Sequence, residues 1–180
     1  MVKLNAKQLR KTKPENGQLD DIKRTPLVIV LDNVTDTFNI GSFFRLAEAL
    51  SVEKIILGGE SVTPPNPKIH RSSVGTWRWL EWEHRKNTAK AIEELKKSGY
   101  FIVSVEQTPK SISYWELSPK FPVALVLGNE TRGINQKILD ISDAVVELPM
   151  LGVNKSLNVF ASGSVISYFL LQKLSGQNHR

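Results

Sequence analysis

The stretch FPVALVLGNETRGI, residues 121–134, joins an uninterrupted apolar run to a polar loop that contains two glycines. Residues 122–127 are the strongest strand signal in the chain, because a run that is apolar at every position is typical of a strand buried on both faces of a parallel sheet. The loop at residues 128–133 then supplies Glu130 where an ordinary turn carries Asn or Ser. We therefore expect a buried strand that leads directly into a functional loop.

A second run of the same kind, PLVIVL at residues 26–31, precedes the first helical pattern, which begins at Asn39. Shorter strands are predicted at residues 55–57, 79–83, 101–105 and 144–148, and further helices at residues 88–98, 135–142 and 157–174. Strands that alternate with helices indicate an α/β protein built on a mostly parallel sheet. In such a sheet ligands bind beyond the carboxyl ends of the strands, so the informative residues should follow the strands.

Polar loops follow three of these strands. The first strand leads to N-x-G-x-x-x-R with Asn39, Gly41 and Arg45, the strongest strand leads to GNETRG at 128–133, and the last strand leads through PMLG at 149–152 to SLN at 156–158. Glycines let a ligand approach the backbone closely, and a helix N-terminus favours an electron-rich group. The crevice at the edge of a parallel sheet therefore predicts that the three loops converge on one site.

Each loop also has a purely structural interpretation. Asn39 and Ser156 are residue types that commonly cap helices. Arg45 can form a surface ion pair, and Glu130 can pair with Arg132. Taken singly, these roles are the more ordinary ones. All three loops in this order, each after a predicted strand, favour a shared site.

The composition excludes several kinds of chemistry. The chain has 180 residues, 41% of them hydrophobic, which suits one domain with a core, and it has no cysteine. Disulfides, thiolate metal sites and a cysteine nucleophile are therefore excluded. There is no G-x-G-x-x-G loop, no P-loop and no G-x-S-x-G elbow, and His70, His84 and His179 lack metal-ligand spacing. A classical dinucleotide site, a kinase and a zinc enzyme do not fit this sequence.

Positive charge is concentrated in two segments of a chain whose formal net charge is +6. Residues 1–24 carry seven basic and three acidic side chains, and residues 68–90 carry six and two. This distribution favours a directed site for a polyanion, although a solvated face and terminus fit the charge equally well. Trp77, Trp79 and Trp82 lie in the second segment, where they either stack on bases or, more commonly, pack in a core or a subunit interface.

No apolar run approaches the ~20 residues that cross a bilayer, and the basic N-terminus has no following apolar segment. We therefore expect a soluble cytoplasmic protein, with a basic arm at residues 1–24 and a single domain at residues 25–180. The last helical pattern has apolar residues on more than one face, which suits the core, a dimer interface or both. These residues include Phe160, Val165, Phe169 and Leu170.

Four stretches together resemble one protein family. They are LDNVTDTFNIGSFFRLAEAL (31–50), SVTPPNPKIHRSSVG (61–75), FPVALVLGNETRGI (121–134) and ELPMLGVNKSLNVFASGSV (147–165). In this order and spacing they resemble the SpoU (TrmH-like) branch of the SPOUT methyltransferases, over residues 26–174. The resemblance implies a parallel-sheet α/β SPOUT fold with a deep C-terminal trefoil knot, and a homodimer. It also implies transfer of a methyl group from S-adenosylmethionine to a ribose 2′-hydroxyl in structured RNA, either tRNA or rRNA.

The resemblance further implies roles for individual residues. The catalytic positions match Arg45, Asn39, Glu130, Ser156 and Asn158, and the cofactor-binding positions match Leu127, Gly128, Asn129, Leu148, Met150, Ser156 and Leu157. No metal is implied. Two residues depart from the family pattern, since Thr131 stands where glycine is frequent and Thr37 where proline is common. Neither departure removes a catalytic position.

Two other functions remain open at the level of the sequence. A catalytically silent RNA-binding module would keep the same fold, but the intact Asn39, Arg45 and Glu130 argue against it. A relative that methylates a base nitrogen would carry different residues in these loops, so the N-x-G-x-x-x-R match disfavours it. The absence of cysteine agrees with O-methylation, because methylation of pyrimidine C5 normally requires a thiolate.

Overall fold

Seven strands of the described chain build one sheet, and the neighbouring strands in it are parallel. The strands are β1 Thr25–Asp32, β2 Val52–Gly58, β3 Trp82–Arg85, β4 Phe101–Val105, β5 Ile112–Ser113, β6 Val123–Leu127 and β7 Ala144–Glu147. Their order across the sheet is β3-β2-β1-β6-β4-β7-β5. The structure is a computed structural model that describes residues 13–15 and 17–177. It confirms the predicted α/β fold with a parallel sheet.

The described residues leave out most of the predicted basic arm. Lys3, Lys7, Arg10 and Lys11 lie outside them, and so does His179. Lys13, Lys23 and Arg24 lie within them, ahead of β1. The boundary between arm and domain therefore stays a prediction.

Five α-helices of the described chain connect the strands: α1 Thr37–Ala49, α2 Pro67–Ser72, α3 Thr88–Lys97, α4 Gln136–Ile141 and α5 Val159–Gln177. Short 3-10 turns lie at Thr76–Arg78 and Tyr114–Glu116. Asp36 begins α1, because its carboxylate accepts hydrogen bonds from the N–H groups of Phe38 and Asn39. Asn39 is therefore not the N-cap of this helix, and that structural interpretation of the sequence is wrong.

Two connections differ from the sequence prediction. A strand is predicted at residues 79–83, whereas β3 starts at Trp82, because Trp79 and Leu80 still hydrogen-bond back to Thr76 in the 3-10 turn. The sequence pattern also misses α2 and β5, which have only six and two residues. Elements of that length are too short for a hydrophobic period to show.

The sheet separates two apolar layers. Leu27, Ile29 and Leu31 of β1 face the layer that contains α1 and α5, while Val28 and Val30 face the layer that contains α3 and α4. All five side chains are buried. A strand with both faces covered must be apolar at every position, which explains why the sequence reveals β1 so clearly.

The last helix, α5, docks on α1 and β6 at a glycine. A Cβ atom at Gly163 would lie 2.6 Å from Cε1 of Phe43 and 2.8 Å from Cδ2 of Leu127. Near the start of α5, the Phe160 ring meets the Phe43 ring edge-on, with the ring centroids 5.4 Å apart. This close approach fixes the start of α5 beside α1.

The apolar residues of α5 divide between the core and the surface. Leu170 is buried, and Phe160 and Phe169 pack against the core. Val165 and Tyr168 are instead 40% and 55% exposed. One side of α5 therefore packs against the core, while the other side exposes Val165 and Tyr168.

The tryptophans of the basic segment are half-buried. Trp77 and Trp82 pack against the same core as α5. Trp82 also meets the buried ring of Phe44 edge-on, with the ring centroids 6.3 Å apart. For Trp77 and Trp82 the packing interpretation is the correct one.

Candidate active site

Side chains from three distant parts of the chain are hydrogen-bonded to one another. Asn39 Nδ2 donates to Oε1 of Glu130 at 2.7 Å, and Asn158 Nδ2 donates to Oδ1 of Asn39 at 3.2 Å. Asn39 is only 3% exposed. Both ends of its amide are used, so the orientation of this side chain is fixed. One residue from each of the three sequence motifs therefore meets the others at one place, although Asn39 lies in α1 and not in a loop.

Asn158 begins α5 and also reaches α1. Its Oδ1 accepts hydrogen bonds from the N–H groups of Phe160 at 2.9 Å and Ala161 at 3.3 Å, while its Nδ2 binds Asn39. The N-cap role predicted for Ser156 is wrong, because the helix does not begin until Val159. Ser156 Oγ instead donates to Asn154 Oδ1 at 3.3 Å, within an exposed loop.

Glu130 binds Asn39 and not its sequence neighbour Arg132. Arg132 forms an ion pair with Glu60, in which Nη2 lies 2.6 Å from Oε2. The structural interpretation that pairs Glu130 with Arg132 is therefore wrong. The carboxylate of Glu130 is held by an uncharged amide, which leaves its negative charge available to a ligand.

Glycines close the loop that carries Glu130. Gly133 has a φ of +66°, and its N–H donates to the carbonyl oxygen of Asn129 at 2.9 Å. A Cβ atom at Gly128 would lie only 2.5 Å from the carbonyl carbon of Gly133. The two glycines permit a turn that a larger residue at either position would displace.

A cleft of about 500 Å³ opens beside this hydrogen-bonded chain. Its walls include every residue that the sequence analysis assigns to cofactor binding: Leu127, Gly128, Asn129, Leu148, Met150, Ser156 and Leu157. Glu130 and Asn158 line the cleft as well, while Asn39 binds both without lining it. The cleft thus gathers residues from the loops after β6 and β7.

The sequence matches the model of the SpoU rRNA Methylase family over residues 26–168. This chain is a member of the SpoU rRNA methylase family. The matched segment contains nearly the whole sheet, the cleft and the first half of α5. The resemblance seen in the sequence is confirmed.

Curated relatives of this SpoU family protein include RNA methyltransferases. A protein of Staphylococcus saprophyticus that is assigned to the TrmH family of tRNA/rRNA methyltransferases is 30% identical over 146 residues, which are 81% of this chain and 58% of that protein. The tRNA (guanosine(18)-2′-O)-methyltransferase of Borreliella burgdorferi is 27% identical over 86% of this chain and 70% of its own length. The chain therefore spans only 58% of the TrmH family relative from Staphylococcus saprophyticus.

Solved structures of the SpoU family share the fold. The SpoU methyltransferase AviRb from Streptomyces viridochromogenes, in complex with the cofactor AdoMet, has a TM-score of 0.75 and 25% identity. The superposition covers 86% of this chain and 63% of AviRb. The parallel α/β architecture is thus that of the SPOUT methyltransferases, while the trefoil knot stays a prediction.

Among the described residues, Arg45 is the predicted catalytic residue of this SpoU family protein that neither lines the cleft nor hydrogen-bonds to a residue that does. It is exposed on α1 and does not line the cleft. It follows Asn39 by six positions, which places it about 240° further around the helix and about 9 Å along it. It follows Phe38 by seven positions, so the two share one exposed face of α1.

Sequence reasoning missed several residues that line the cleft. Glu106 and Gln107 directly follow β4, and Glu147 ends β7. Glu106 Oε2 accepts the N–H of Ile134 at 2.9 Å, and Oε1 accepts the N–H of Gln107 at 3.0 Å. The signal that could have found Glu106 is the same one that found Glu130, a polar residue directly after an apolar strand.

The cleft carries an excess of negative charge. Glu106, Glu130 and Glu147 line it, and Lys155 is the single cation that opposes them among the described lining residues. Lys155 Nζ donates to the carbonyl oxygen of Met150 at 3.2 Å. The cleft therefore suits a ligand that combines a positive charge with an apolar ring.

Neither a metal cluster nor a membrane-spanning helix occurs in the described part of the chain. Residues 13–15 and 17–177 contain no group of three or more His, Asp or Glu side chains placed to hold a metal ion. Within the same residues, no helix has both the length and the apolar character needed to span a membrane.

Proposed function

We propose that this protein transfers a methyl group from S-adenosylmethionine to a ribose 2′-hydroxyl in tRNA or rRNA. The observation that carries the proposal is the hydrogen-bonded chain Glu130–Asn39–Asn158 at the wall of one cleft. The Borreliella burgdorferi relative is a tRNA 2′-O-methyltransferase, and AviRb was solved with AdoMet. Both support the same chemistry.

The residues that line the cleft fit S-adenosylmethionine. Leu127, Leu148 and Leu157 offer apolar surface for an adenine ring, and Gly128 lets a ligand approach the backbone. The carboxylates of Glu106 and Glu130 favour a cationic ligand over a neutral one. When bound, S-adenosylmethionine supplies a methyl group that its sulfonium already activates, so neither a metal nor a covalent intermediate is needed.

Glu130 is the proposed acceptor of the proton of the ribose hydroxyl. Its Oε1 accepts the Asn39 amide, and its Oε2 has no hydrogen-bond partner among the described residues. In the proposed step the 2′-O–H bond breaks and the proton passes to Oε2. The ribose oxygen then bonds to the methyl carbon as the carbon–sulfur bond breaks. Asn39 holds the carboxylate in position throughout.

Arg45 is proposed to hold an RNA phosphate and to stabilise negative charge on the ribose oxygen. A guanidinium stays protonated at physiological pH, so it is a poor proton acceptor but a strong fork-shaped donor. Because Arg45 lies outside the cleft of its own chain, it needs a partner surface to reach the reaction. We propose that a homodimer provides that surface.

The exposed apolar side chains support a homodimer. Phe38, on the Arg45 face of α1, is 66% exposed, and Tyr168 of α5 is 55% exposed. In the loop beside the cleft, Leu151 and Val153 are 98% and 100% exposed. A second copy is the proposed cover for these groups.

RNA binding is proposed to be mainly electrostatic. The basic arm at residues 1–24 and the segment at residues 68–90 supply most of the positive charge. Lys68 and Arg71 are exposed on α2, which packs on α1 against Gly41, one turn before Arg45. A cytoplasmic location is proposed because tRNA and rRNA reside there.

The test incubates the protein with S-adenosylmethionine and unmodified RNA, then digests the RNA and identifies nucleosides by mass spectrometry. The expected product is a 2′-O-methylated nucleoside. A base-methylated nucleoside would refute the ribose assignment. If a titration shows no affinity for S-adenosylmethionine, the protein is a silent RNA-binding module.

Two variants test the role of Arg45. Arg45→Ala should lower turnover by at least about 100-fold if the residue stabilises the transition state. Arg45→Lys keeps the positive charge but loses the planar guanidinium that donates two parallel hydrogen bonds, so its turnover should also fall strongly. Near-wild-type turnover of Arg45→Lys would show that a fork-shaped contact is not used.

A further inference from the structure

A second cleft, of about 600 Å³, opens between the starts of α3 and α4. It lies on the α3 and α4 side of the sheet, and it shares no lining residue with the cleft beside Glu130, the proposed cofactor cleft. Three of its lining residues are lysines, Lys86, Lys90 and Lys137, and it is therefore named the lysine cleft. The proposed methyl transfer uses none of them.

Asp32 gives the lysine cleft an unpaired acceptor. It ends β1 and lines the cleft, although only 2% of its surface is exposed. Its Oδ1 accepts the side-chain N–H of Asn33 at 2.9 Å, whereas its Oδ2 is buried with no partner among the described residues. A buried carboxylate oxygen is costly to leave unpaired, which points to a ligand with an N–H or O–H donor.

The rest of the lysine cleft attracts negative charge. The ammonium groups of Lys86, Lys90 and Lys137 form no ion pair within residues 13–15 and 17–177, and all three residues are exposed. The first turn of α3 adds to this attraction, because the Asn87 side chain caps only the N–H of Lys90. Apart from Asp32, Glu93 is the remaining acidic residue among the described lining residues.

A ligand for this cleft must therefore carry both a negative group and a hydrogen-bond donor. A nucleotide combines the two, since its phosphate suits the lysines and its base or ribose supplies the donor. We propose that the lysine cleft is a second RNA-binding subsite, which holds a nucleotide near the one that is methylated. This inference rests on the proposed function, because that function makes RNA the substrate.

The position of the lysine cleft supports RNA as the source of the nucleotide. Asn129 lines the cofactor cleft, and its Nδ2 donates to the carbonyl oxygen of Asn33, which lines the lysine cleft, at 2.8 Å. The Glu130 loop is thus joined by a hydrogen bond to a residue that lines the lysine cleft. Lys86 and Lys90 also belong to the basic segment at residues 68–90. One strand of RNA along this edge reaches both clefts.

The test measures binding of fluorescently labelled bulk tRNA by anisotropy at several salt concentrations. The variant K86A/K90A/K137A should bind at least tenfold more weakly than the wild type. Its slope of log K against log salt should fall by about one for each phosphate that the variant no longer binds. The control K97A/K110A/K120A removes three exposed lysines outside both clefts, so it changes the net charge equally and should bind within about twofold of the wild type.

A second arm tests Asp32 with small probes. Adenosine monophosphate and inorganic phosphate compete with the labelled tRNA, and the nucleotide should compete at least tenfold better because it brings a donor. Asp32→Asn should remove that preference, because the amide must offer an N–H to either Asn33 or the ligand. If the nucleotide and phosphate compete equally on the wild type, the role of Asp32 is refuted.

The outcomes separate this inference from the proposed function. All variants should bind S-adenosylmethionine like the wild type in calorimetry, because none changes the cofactor cleft. Equal tRNA affinity of the two triple variants overturns the RNA subsite, even if methylation proceeds. Loss of nucleotide competition without any loss of tRNA affinity would show a site for free nucleotides and would also overturn it. Failure of the wild type to methylate RNA refutes the proposed function instead.

Discussion

Gly163→Ala should separate the packing of α5 from its helical propensity. Alanine in place of glycine favours a helix by about 1 kcal/mol. At Gly163 the new methyl group would meet Phe43 at 2.6 Å and Leu127 at 2.8 Å, and Phe43 is fully buried. Overpacking of this kind typically costs about 1–3 kcal/mol, so the packing cost should equal or exceed the propensity gain.

Gly176→Ala is the matched control, because it lies in the same helix and its Cβ would meet nothing within 4 Å. It has no packing cost, and it gains at most the same propensity because it lies in the last turn of α5. Gly163→Ala should therefore be less stable than Gly176→Ala by up to about 3 kcal/mol, or up to about 12 °C in Tm for a chain of this size. The assay is thermal unfolding by circular dichroism, followed by calorimetric titration with S-adenosylmethionine.

Displacement of α5 also moves Asn158, which caps the helix and binds Asn39. Gly163→Ala should therefore weaken S-adenosylmethionine binding, whereas Gly176→Ala should not. If Gly163→Ala proves as stable as Gly176→Ala and binds the cofactor normally, α5 does not dock on Phe43 and Leu127.

Two further substitutions test single interactions. Asn39→Asp would replace the 2.7 Å hydrogen bond to Glu130 with a second carboxylate beside it. The free energy of unfolding should fall by about 1–3 kcal/mol, and methyl transfer should be lost. Unfolding experiments and the incorporation of labelled methyl groups into RNA measure the two effects. Burial opposes ionisation of Glu83, but hydrogen bonds and ion pairs with Lys54 and Arg85 outweigh it and hold its pKa below the ordinary value. This stabilisation is present at neutral pH and is lost as the pH falls through the lowered pKa. Glu83→Gln should therefore lower the free energy of unfolding by at most about 1 kcal/mol at pH 7, seen as a slightly lower Tm, and the difference from the wild type should vanish in acid. An equal difference at all pH values would contradict the ion pairs.

The parallel sheet could be predicted from the sequence because a strand that is buried on both faces is apolar at nearly every position. β1 and β6 are covered on both faces, so each is a continuous apolar run. β5 pairs only with β7 through two residues at the edge of the sheet, and its sequence carries no such run. The sequence therefore shows the centre of the sheet and not its rim.

The convergence of the loops could also be predicted, but the exact start of α5 could not. Ser156 and Asn158 are both good capping residues, and both precede the same apolar run. What selects Asn158 is its tertiary hydrogen bond to Asn39, which lies 119 positions away in the chain. No local pattern contains that contact.

The separation of Arg45 from the cleft follows from helix geometry. Residues six positions apart in a helix lie on different faces, so Asn39 and Arg45 cannot both point into one cleft of the same chain once both are helical. The motif spacing is thus compatible with two surfaces that act together. The family resemblance assigns Asn39 and Arg45 to one site, and the helix shows that the two side chains face different ways.

Amide hydrogen exchange with and without S-adenosylmethionine tests the cofactor cleft most directly. New protection should appear together at residues 128–133 and 147–158, on either side of the cleft, and should be absent at residues 86–90 beside the lysine cleft. Protection confined to only one of the two loops, or located at residues 86–90, would mean that the sulfonium donor does not bind where β6 and β7 end.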